Sequence, residues 1–362
     1  MAVTTIPSAG LTLGAQVNFR NIIINGDMSI AQRGTSHTTA SGYTLDRWHL
    51  NDSTSGAFTV TQSTTVPSGQ GFAKSYKLDC TTADASPDAG EYLIFNQRFE
   101  GQNLQYIKKG TSNAESLTLS FWVRSNKTGT YIAELRDGDN TRHNTIAYTI
   151  SSADTWEKKI ITFAGDTSGA LDNDNARSFD VNFWLLAGSN FSSGTLTSNT
   201  WSSITDANRA VGNVNIADST SNEWYITGVQ LEVGTSASDF EFLPYDVNFR
   251  RCVRYFQNQQ YDTNANMIGV GYNESNSIGR GVIMFPYGEM RSRPSISTPS
   301  VSNGFRIISQ SHDLYKSTIP LKENISTYSF RAGNNQDTVS DGQVNLWIIH
   351  SSGAKIQYDA EL

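Results

Sequence analysis

The chain has 362 residues, which is enough for two or three domains with cores of their own. Only 37% of the residues are hydrophobic and 17% are charged, and Ser, Thr, Asn and Gly fill the difference, which favours short strands and polar turns over helices. Aromatic residues reach 11%, which argues against disorder, and a formal net charge of −7 argues against a nucleic-acid partner.

Residues 1–19 are small and polar with Pro and Gly, and they predict either an arm that orders on a partner or a mobile terminus. They contain no basic segment followed by an apolar core, so we expect no secretory signal. No apolar run in the chain approaches the roughly 20 residues that span a bilayer, so we expect no membrane insertion. Cys80 and Cys252 fall in different predicted domains, and we therefore expect no disulfide between them.

Residues 20–245 predict a series of short strands joined by polar turns, the pattern of an antiparallel β-sandwich. A period of two is clearest over 116–125, where Leu117, Leu119, Phe121 and Val123 share one face. Residues 126–129 then predict a hairpin loop into the next strand. The predicted strands cover residues 20–28, 43–50, 58–62, 75–80, 91–99, 116–125, 130–136, 144–150, 156–163, 179–186 and 223–233, and the short helical candidates are 98–107 and 203–207.

Residues 246–362 predict a smaller C-terminal β-domain. It opens with 247–256, which predicts a helix or a bent strand and carries the one basic cluster, which we interpret as an element edge at the domain junction. The strands predicted after it cover residues 268–271, 280–285, 305–309, 327–330, 344–350 and 356–362.

Catalytic motifs are missing from the sequence. The five histidines have no metal-ligand spacing, and there is no nucleophile elbow and no CxxC pair. A glycosidase would need two carboxylates in one cleft, and strand glutamates usually face solvent instead. We therefore expect no enzyme, although the strand glutamates that a glycosidase would draw on are Glu134, Glu157, Glu223 and Glu232.

A turn rich in acidic and amide side chains is the candidate metal site. Asp137, Asp139 and Asn140 offer oxygen ligands at close spacing, and Asp172–Asn175 repeats the pattern. Calcium takes six to eight oxygen ligands, so the turn suggests a structural calcium ion. Neither run completes an EF-hand, and turns of this composition also occur with no ion. We predict no other cofactor.

Sugar binding is the ligand hypothesis that the residues favour. Trp201 lies in a polar stretch outside any predicted strand, where its ring could stack on a sugar. Arg142 and His143 lie beside the acidic turn and could bind the hydroxyl groups. The alternative is that Trp201 covers one end of the core. The other six tryptophans fall within strands and are predicted to lie in the core or on a sandwich face.

Seven stretches, in combination, carry a family resemblance. They are Asn21–Gly34, Tyr43–Trp48, Leu119–Ser125, Ile226–Gly234, Arg251–Gln257, Phe285–Pro294 and Asp359–Leu362. Together they resemble a family of bacteriophage virion structural proteins, often tail fibres, with a carbohydrate-binding-like jelly-roll domain. The resemblance covers nearly the whole chain after residue 20.

The resemblance implies a mainly β protein: an antiparallel jelly-roll β-sandwich over 20–245, followed by the smaller C-terminal β-domain over 246–362 for oligomerisation or the tip. It implies a non-enzymatic homotrimer of the virion, made in the host cytoplasm and attached to other virion proteins through residues 1–19. Trimer contacts would come from Phe285, Ile348 and Ile349.

The function that the resemblance implies is that of a tail fibre or receptor-binding protein that contacts host surface polysaccharide. Two alternatives stay open. One is a capsid decoration or head-fibre protein that binds no ligand. The other is a polysaccharide depolymerase, which requires a carboxylate pair in one cleft.

Overall fold

The computed structural model describes residues 19–38, 41–260, 266–275, 278–309, 313–335 and 343–362. The predicted attachment arm over 1–19 lies outside these ranges, except for its last residue. The chain divides into two compact units, the first reaching to Asn248 and including Leu362, and the second comprising Phe249–Glu361. The predicted domain boundary after residue 245 stays a prediction.

The first unit is built almost entirely of strands. Its few helices are α1 (Ser189–Ser192) and the 3-10 turns Gly101–Asn103, Gln105–Ile107 and Asp206–Asn208. Its strands are β1 (Ser36–Thr38), β2 (Gly42–Tyr43), β3 (His49–Asp52), β4 (Ala57–Ser63), β5 (Ser75–Thr82), β6 (Tyr92–Glu100), β7 (Leu117–Ser125), β8 (Gly129–Asp137), β9 (Arg142–Ile150), β10 (Glu157–Phe163), β11 (Arg177–Ala187), β12 (Ser202–Ser203) and β13 (Glu223–Val233).

These strands form two antiparallel sheets that face each other as a jelly-roll β-sandwich, which confirms the predicted fold class. The six-stranded sheet has the order β1-β4-β5-β13-β7-β10, and the seven-stranded sheet has the order β12-β9-β8-β11-β6-β3-β2. Between them, the ring of Phe95 on β6 lies 5.5 Å from that of Trp224 on β13 and stacks on Trp48 at 4.5 Å. The alternating face predicted for β7 is confirmed, because Leu117, Leu119, Phe121 and Val123 are all buried in this core.

The loop after β7 is a correction to the sequence prediction. Residues 126–129 do not close a hairpin, because β7 pairs with β10 and β13 whereas β8 pairs with β9 and β11. The chain therefore crosses from one sheet to the other at this loop. The hairpin of this region joins β8 to β9, and its turn is the acidic segment that contains Asp139 and Asn140.

Two predicted strands are also different in the structure. Residues 43–50 end β2 and begin β3, with a turn between them, so they are not one strand. Residues 20–28 form no strand, although Ile22, Ile23 and Ile24 are buried. Buried amide side chains, instead of a neighbouring strand, form hydrogen bonds with the backbone of this segment. Gln97 Oε1 accepts from the backbone N–H of Ile24 at 2.7 Å, and the Asn25 side chain bonds both the N–H and the C=O of Ile30.

The segment over 20–28 packs on a bulge in the closing strand β13. The bulge lies between Thr227 and Gln230 and contains Gly228 at φ +61°, a left-handed conformation that favours glycine. A Cβ at Gly228 would lie 2.5 Å from the ring of Phe72. The backbone of Gly26 accepts a hydrogen bond from that of Val229 at 2.9 Å, so the two segments hold each other.

The second unit begins within helix α2 (Tyr245–Val253), which takes the place of the helix or bent strand predicted over 247–256. Its strands are β14 (Phe256–Gln260), β15 (Asn266–Ser275), β16 (Ile278–Met284), β17 (Ser295–Ser297), β18 (Phe305–Ser309), β19 (Asp313–Lys316), β20 (Leu321–Glu323), β21 (Ser329–Asn335), β22 (Val344–Ile349) and β23 (Lys355–Asp359). They form a three-stranded sheet in the order β14-β23-β17 and a seven-stranded sheet in the order β19-β18-β22-β15-β16-β21-β20. The core between them includes Phe285, Phe330, Trp347 and Tyr358. No helix among the described residues is long and apolar enough to cross a membrane.

Candidate functional site

Trp201 packs against one end of the sandwich core. Its ring lies 6.0 Å from that of Phe179, and its indole nitrogen donates to the backbone oxygen of Ala164 at 2.7 Å. The side chain is half-buried and contacts the core cluster, so the geometry matches the alternative reading in which Trp201 covers the core. Its role as a sugar-binding residue stays a prediction.

The acidic turn encloses a lysine. The ammonium group of Lys109 bonds the carboxylate of Asp137 and lies 3.0 Å from that of Asp166, with 3% of its side chain exposed. Asn140 donates to Asp137 from its backbone and its amide, at 3.0 and 2.9 Å. Asp139 accepts from the backbone of Asp172 at 2.9 Å. Since an ammonium group is the cation that Asp137 meets, this arrangement lends the calcium hypothesis no support.

No described group of three or more His, Cys, Asp or Glu side chains is arranged to hold a metal ion. Arg142 belongs to the same network as Lys109, because it makes a two-pronged ion pair with Asp166 at 2.7 and 3.0 Å. Burial would raise the pKa of Asp166, but the hydrogen bonds from Arg142 and Lys109 lower it. The cluster is a set of internal ion pairs at one end of the sandwich.

His143, the third predicted sugar contact, lies elsewhere. It is fully buried, and its Nδ1 is 3.2 Å from the carboxylate of Glu134 on the neighbouring strand. The structure therefore separates the three residues that the sequence placed together: the side chains of Arg142 and Trp201 lie near Lys109, and that of His143 contacts Glu134 on β8 instead.

A cleft lies on the outer face of the seven-stranded sheet of the first unit. Its volume is about 320 Å³. Its lining mixes amide, guanidinium and aromatic side chains from strands β3, β6, β8 and β11 and from the covering segment 188–210. These residues are Asn51, Tyr92, Ile94, Asn96, Arg136, Arg177, Asn182, Trp184, Phe191, Asp206 and Arg209.

Strand register explains why these side chains meet. Asn96 on β6 is directly opposite Asn182 on β11, and Asn182 is opposite Glu134 on β8, so the three share the outer face. Two residues along, Ile94 is opposite Trp184 in the same way. An amide row, formed by Asn96 and Asn182, thus lies beside an apolar row, formed by Ile94 and Trp184. A ligand with one polar and one apolar surface can contact both rows.

The segment over 188–210 covers the apolar row. The ring of Phe191 in α1 lies 5.5 Å from that of Trp184 and 5.4 Å from that of Tyr92. The guanidinium carbon of Arg209 lies 4.9 Å above the indole of Trp184, a cation–π contact. Trp184 is fully buried as a result, and the half-buried rings of Tyr92 and Phe191 are the ones that reach the cleft surface.

Glu134 anchors three of the side chains that line the cleft. One of its oxygens accepts from Arg209 at 2.9 Å, and the other accepts from Arg209, Asn182 and Trp184, each at 3.0 Å. Burial alone would raise the pKa of Glu134, but the charges and hydrogen bonds of Arg209 and His143 hold it well below its ordinary value. The carboxylate is therefore an ionised anchor with no proton to donate.

A second buried carboxylate orients two further arginines. Asp180 is fully buried and accepts from Arg177 Nε at 2.7 Å and Nη2 at 2.5 Å, and from Arg136 Nη1 at 3.2 Å. Both guanidinium groups line the cleft. A buried acceptor that fixes a guanidinium fork pre-positions its remaining donors for a ligand.

The other strand glutamates considered for glycosidase chemistry do not join Glu134. Glu157, Glu223 and Glu232 lie on β10 and β13 of the opposite sheet. Glu157 pairs with Lys159 at 2.5 Å, and Glu223 pairs with Lys77 at 2.6 Å. Among the residues that line the cleft, Asp206 carries a carboxylate, and its side chain is 60% exposed.

Comparisons with known proteins leave the family open. No model of a known family matches the sequence, and no curated protein matches it. Solved structures that resemble it include a tailspike domain of bacteriophage CBA120, described as enzymatically active (17% identity, TM-score 0.32, covering 59% of this chain), of which the present chain spans 22%. Another is a family 4 carbohydrate-binding module (11% identity, TM-score 0.30, covering 58% of this chain and 98% of the module). A third is a family 11 carbohydrate-binding module of a Clostridium thermocellum cellulase (10% identity, TM-score 0.28, covering 56% of this chain and 96% of the module). At these TM-scores the likeness carries no argument about function.

Proposed function

We propose that this protein is a structural component of a phage virion, a tail fibre or receptor-binding protein, whose sandwich binds a host surface glycan in the cleft. The single observation that carries the glycan proposal is the composition of the cleft. Amide and guanidinium groups on rigid strands lie beside the partly exposed rings of Tyr92 and Phe191. Sugars present hydroxyl groups around an apolar ring face, which such a surface matches.

The amide row supplies groups for hydroxyl recognition. Asn96 is 1% exposed, and its Oδ1 accepts no hydrogen bond from the residues that the structure describes. A buried amide oxygen without a partner costs free energy unless a ligand or water satisfies it. Asn51 and Asn182 line the same cavity, so three amides converge on one space. This convergence supports a polar, hydroxyl-bearing ligand.

A non-enzymatic role is part of the proposal. Glycoside hydrolysis needs one protonated and one ionised carboxylic acid across the scissile bond. Glu134 is saturated by donors and held ionised, and Asp206 is paired with Arg209 at 3.3 Å. This pairing supports binding without cleavage. The alternative is a polysaccharide depolymerase. Loss of the host capsule on treatment with the pure protein would favour that alternative.

The virion role rests on the sequence resemblance, and the proposed homotrimer would use the second unit. Phe285 and Ile349, which the sequence suggested as trimer contacts, are buried in the core of that unit, and Ile348 is 9% exposed. On the opposite face of the larger sheet, the paired residues Val270 and Val282 remain 54% and 51% exposed. Large exposed apolar surface is typical of protein interfaces. The apolar residues on this face or at its edge, each more than half exposed, are Met267, Val270, Tyr272, Val282, Met284 and Val344.

Binding of the purified, fluorescently labelled full chain to host cells tests the proposal, with the oligomeric mass measured by light scattering. We expect saturable binding by a trimer, which is lost when surface polysaccharide is stripped. The variant Asn51→Tyr places a ring in the cleft and should abolish binding, whereas Asn113→Tyr, on an exposed loop, should not. Equal binding by the Asn51 variant would contradict the cleft assignment. If the protein binds none of the host cells and instead covers phage heads in many copies, that result would favour the capsid decoration alternative.

A further inference from the structure

The cleft is lined by more cationic groups than its hydroxyl-binding role requires. Arg136 and Arg177 lie on its surface, with 28% and 35% of their side chains exposed. Arg33 and Arg98 stack their guanidinium carbons 5.4 and 5.8 Å from the ring of Tyr43. That ring lies 4.8 Å from His49 on β3. In a chain with a net charge of −7, three arginines (Arg136, Arg177 and Arg209) therefore line the cleft, and two more (Arg33 and Arg98) lie beside the Tyr43–His49 pair.

The pKa of His49 is lowered by burial and by the positive charges around it. Its register partner is Asn96, in the amide row of the cleft. Burial, together with the charges of Arg98, Arg177 and Arg33, lowers the pKa of His49 to about 3. The imidazole is therefore neutral at any physiological pH, and it adds no further positive charge to the arginines around it.

Two buried carboxylates pair with the arginines that line the cleft. Asp180 and Glu134 are both fully buried, and arginine donors occupy the oxygens of each. Among the lining residues, Asp206 carries an exposed carboxylate that pairs with Arg209, whereas Arg136 and Arg177 present N–H groups. The pairing also leaves donors unused: Arg136 gives only Nη1, and Arg177 only Nε and Nη2, to partners among the described residues.

We propose, resting on the proposed glycan-binding function, that the ligand of the cleft is an acidic glycan whose carboxylate group is bound by Arg136 and Arg177. The unused Nε and Nη2 of Arg136 and Nη1 of Arg177 bind the carboxylate. The amide groups of Asn51, Asn96 and Asn182 bind hydroxyl groups of the same chain of sugars. Guanidinium groups match carboxylates in planar geometry, and charge-assisted hydrogen bonds of this kind are the stronger ones. Uronic and sialic acids are the sugar classes that carry such a group.

Calorimetric titration of the full chain with polygalacturonate, polysialic acid, a sulfated glycan and neutral dextran, mannan and galactan tests the inference. We expect binding to at least one carboxylated polymer and weaker binding to it at high salt, because screening reduces the attraction between charges. The sulfated glycan separates carboxylate recognition from attraction to any anion. Each neutral polymer should bind at least about tenfold more weakly, the loss expected for one charge-assisted hydrogen bond.

Two cleft variants and one control locate the binding. Arg136→Gln and Arg177→Gln should each weaken binding about tenfold or more. The fold should survive each change, because the other arginine still pairs with Asp180. Arg124→Gln removes an arginine from β7 of the opposite sheet, where it pairs with Asp154 at 2.8 Å, and should bind like the unaltered protein. Near-ultraviolet circular dichroism confirms that the variants remain folded.

The outcomes separate the two proposals. Carboxylate-dependent binding that the two cleft variants lose supports both. Salt-independent binding of a neutral polymer, unaffected by Arg136→Gln, overturns the acidic ligand and leaves glycan binding intact. Preference for the sulfated polymer, or acidic binding that the cleft variants retain, also overturns the inference. Binding to none of the six polymers, together with no binding to host cells, refutes the proposed function itself.

Discussion

Replacing Glu134 with glutamine should destabilise the first unit strongly, because it breaks a buried network beside the cleft. The carboxylate is fully buried and takes part in five hydrogen bonds from four side chains. Glutamine has one acceptor oxygen and an NH₂ group in place of two acceptor oxygens. Whichever way the amide points, its N–H groups face at least two donors, so the network cannot be satisfied.

The expected cost follows from the charge that is left behind. Arg209, with 13% of its side chain exposed, loses its buried counter-charge and keeps only the exposed Asp206. Removing one partner of a buried ion pair costs about 3–5 kcal/mol, because the other charge stays desolvated and unpaired. We expect a loss of about this size in the free energy of unfolding. The indole of Trp184, which donates to Glu134, should also become more mobile.

Acid titration gives the same network a second signature. The pKa of Glu134 is lower in the folded chain than its ordinary value of 4.5. A carboxylate with a depressed folded pKa stabilises the fold above its unfolded pKa, and that contribution is lost as the pH falls through and below about 4.5. The Glu134→Gln variant lacks this group, so its stability should fall less steeply over that acid range.

Denaturant unfolding followed by tryptophan fluorescence measures both effects, because six of the seven tryptophans lie before residue 249. Glu115→Gln is the matched control, since Glu115 forms a 2.6 Å ion pair with Lys108 at the surface. An exposed pair is worth about 0–1 kcal/mol, and the control should change stability by no more than that. If the free energy of unfolding of the Glu134→Gln variant lies within about 1 kcal/mol of that of the unaltered protein, the reasoning is refuted.

Three further predictions follow from other parts of the chain. Gly228→Ala should lower the free energy of unfolding by about 2 kcal/mol or more, measured by the same denaturation, because φ is +61° and the Phe72 ring fills the space; no loss would argue against the bulge. Lys109→Met should cost about 3–5 kcal/mol, and chelation should leave the melting temperature of the unaltered protein unchanged, because Lys109 is the cation beside Asp137; a chelator-induced shift would restore the calcium hypothesis. Val282→Glu should reduce the oligomeric mass in light scattering while the circular dichroism spectrum is retained, and an unchanged mass would exclude this face as the trimer contact.

The stretches on which the proposed resemblance rests include three that meet in the structure. These three, Asn21–Gly34, Tyr43–Trp48 and Ile226–Gly234, are joined by hydrogen bonds. Asn25 donates to the backbone oxygen of Asp46 at 3.0 Å and accepts at its own backbone from Trp48 at 2.9 Å. The first stretch also contacts the bulge of β13. These residues hold the closing corner of the sandwich, and none of them lines the cleft.

Local alternation in the sequence determined the strands and the buried face of many of them. The bounds of β13 were predicted without error at Glu223–Val233, and β7 differs by a single residue at its start. Alternation is a property of a single strand, since every second side chain points to the same face. It therefore needs no knowledge of the neighbouring strand.

Only the tertiary structure decided which strands are neighbours and which outer-face residues are functional. The crossing of residues 126–129 between sheets and the meeting of Asn51, Asn96 and Asn182 depend on pairings between distant segments. Trp184 shows the same limit: the sequence places it in the core or on a sandwich face, and the structure places it on the outer face of β11, where segment 188–210 buries it. Because burial on the outer face comes from a separate segment, no local pattern in β11 could reveal the cleft.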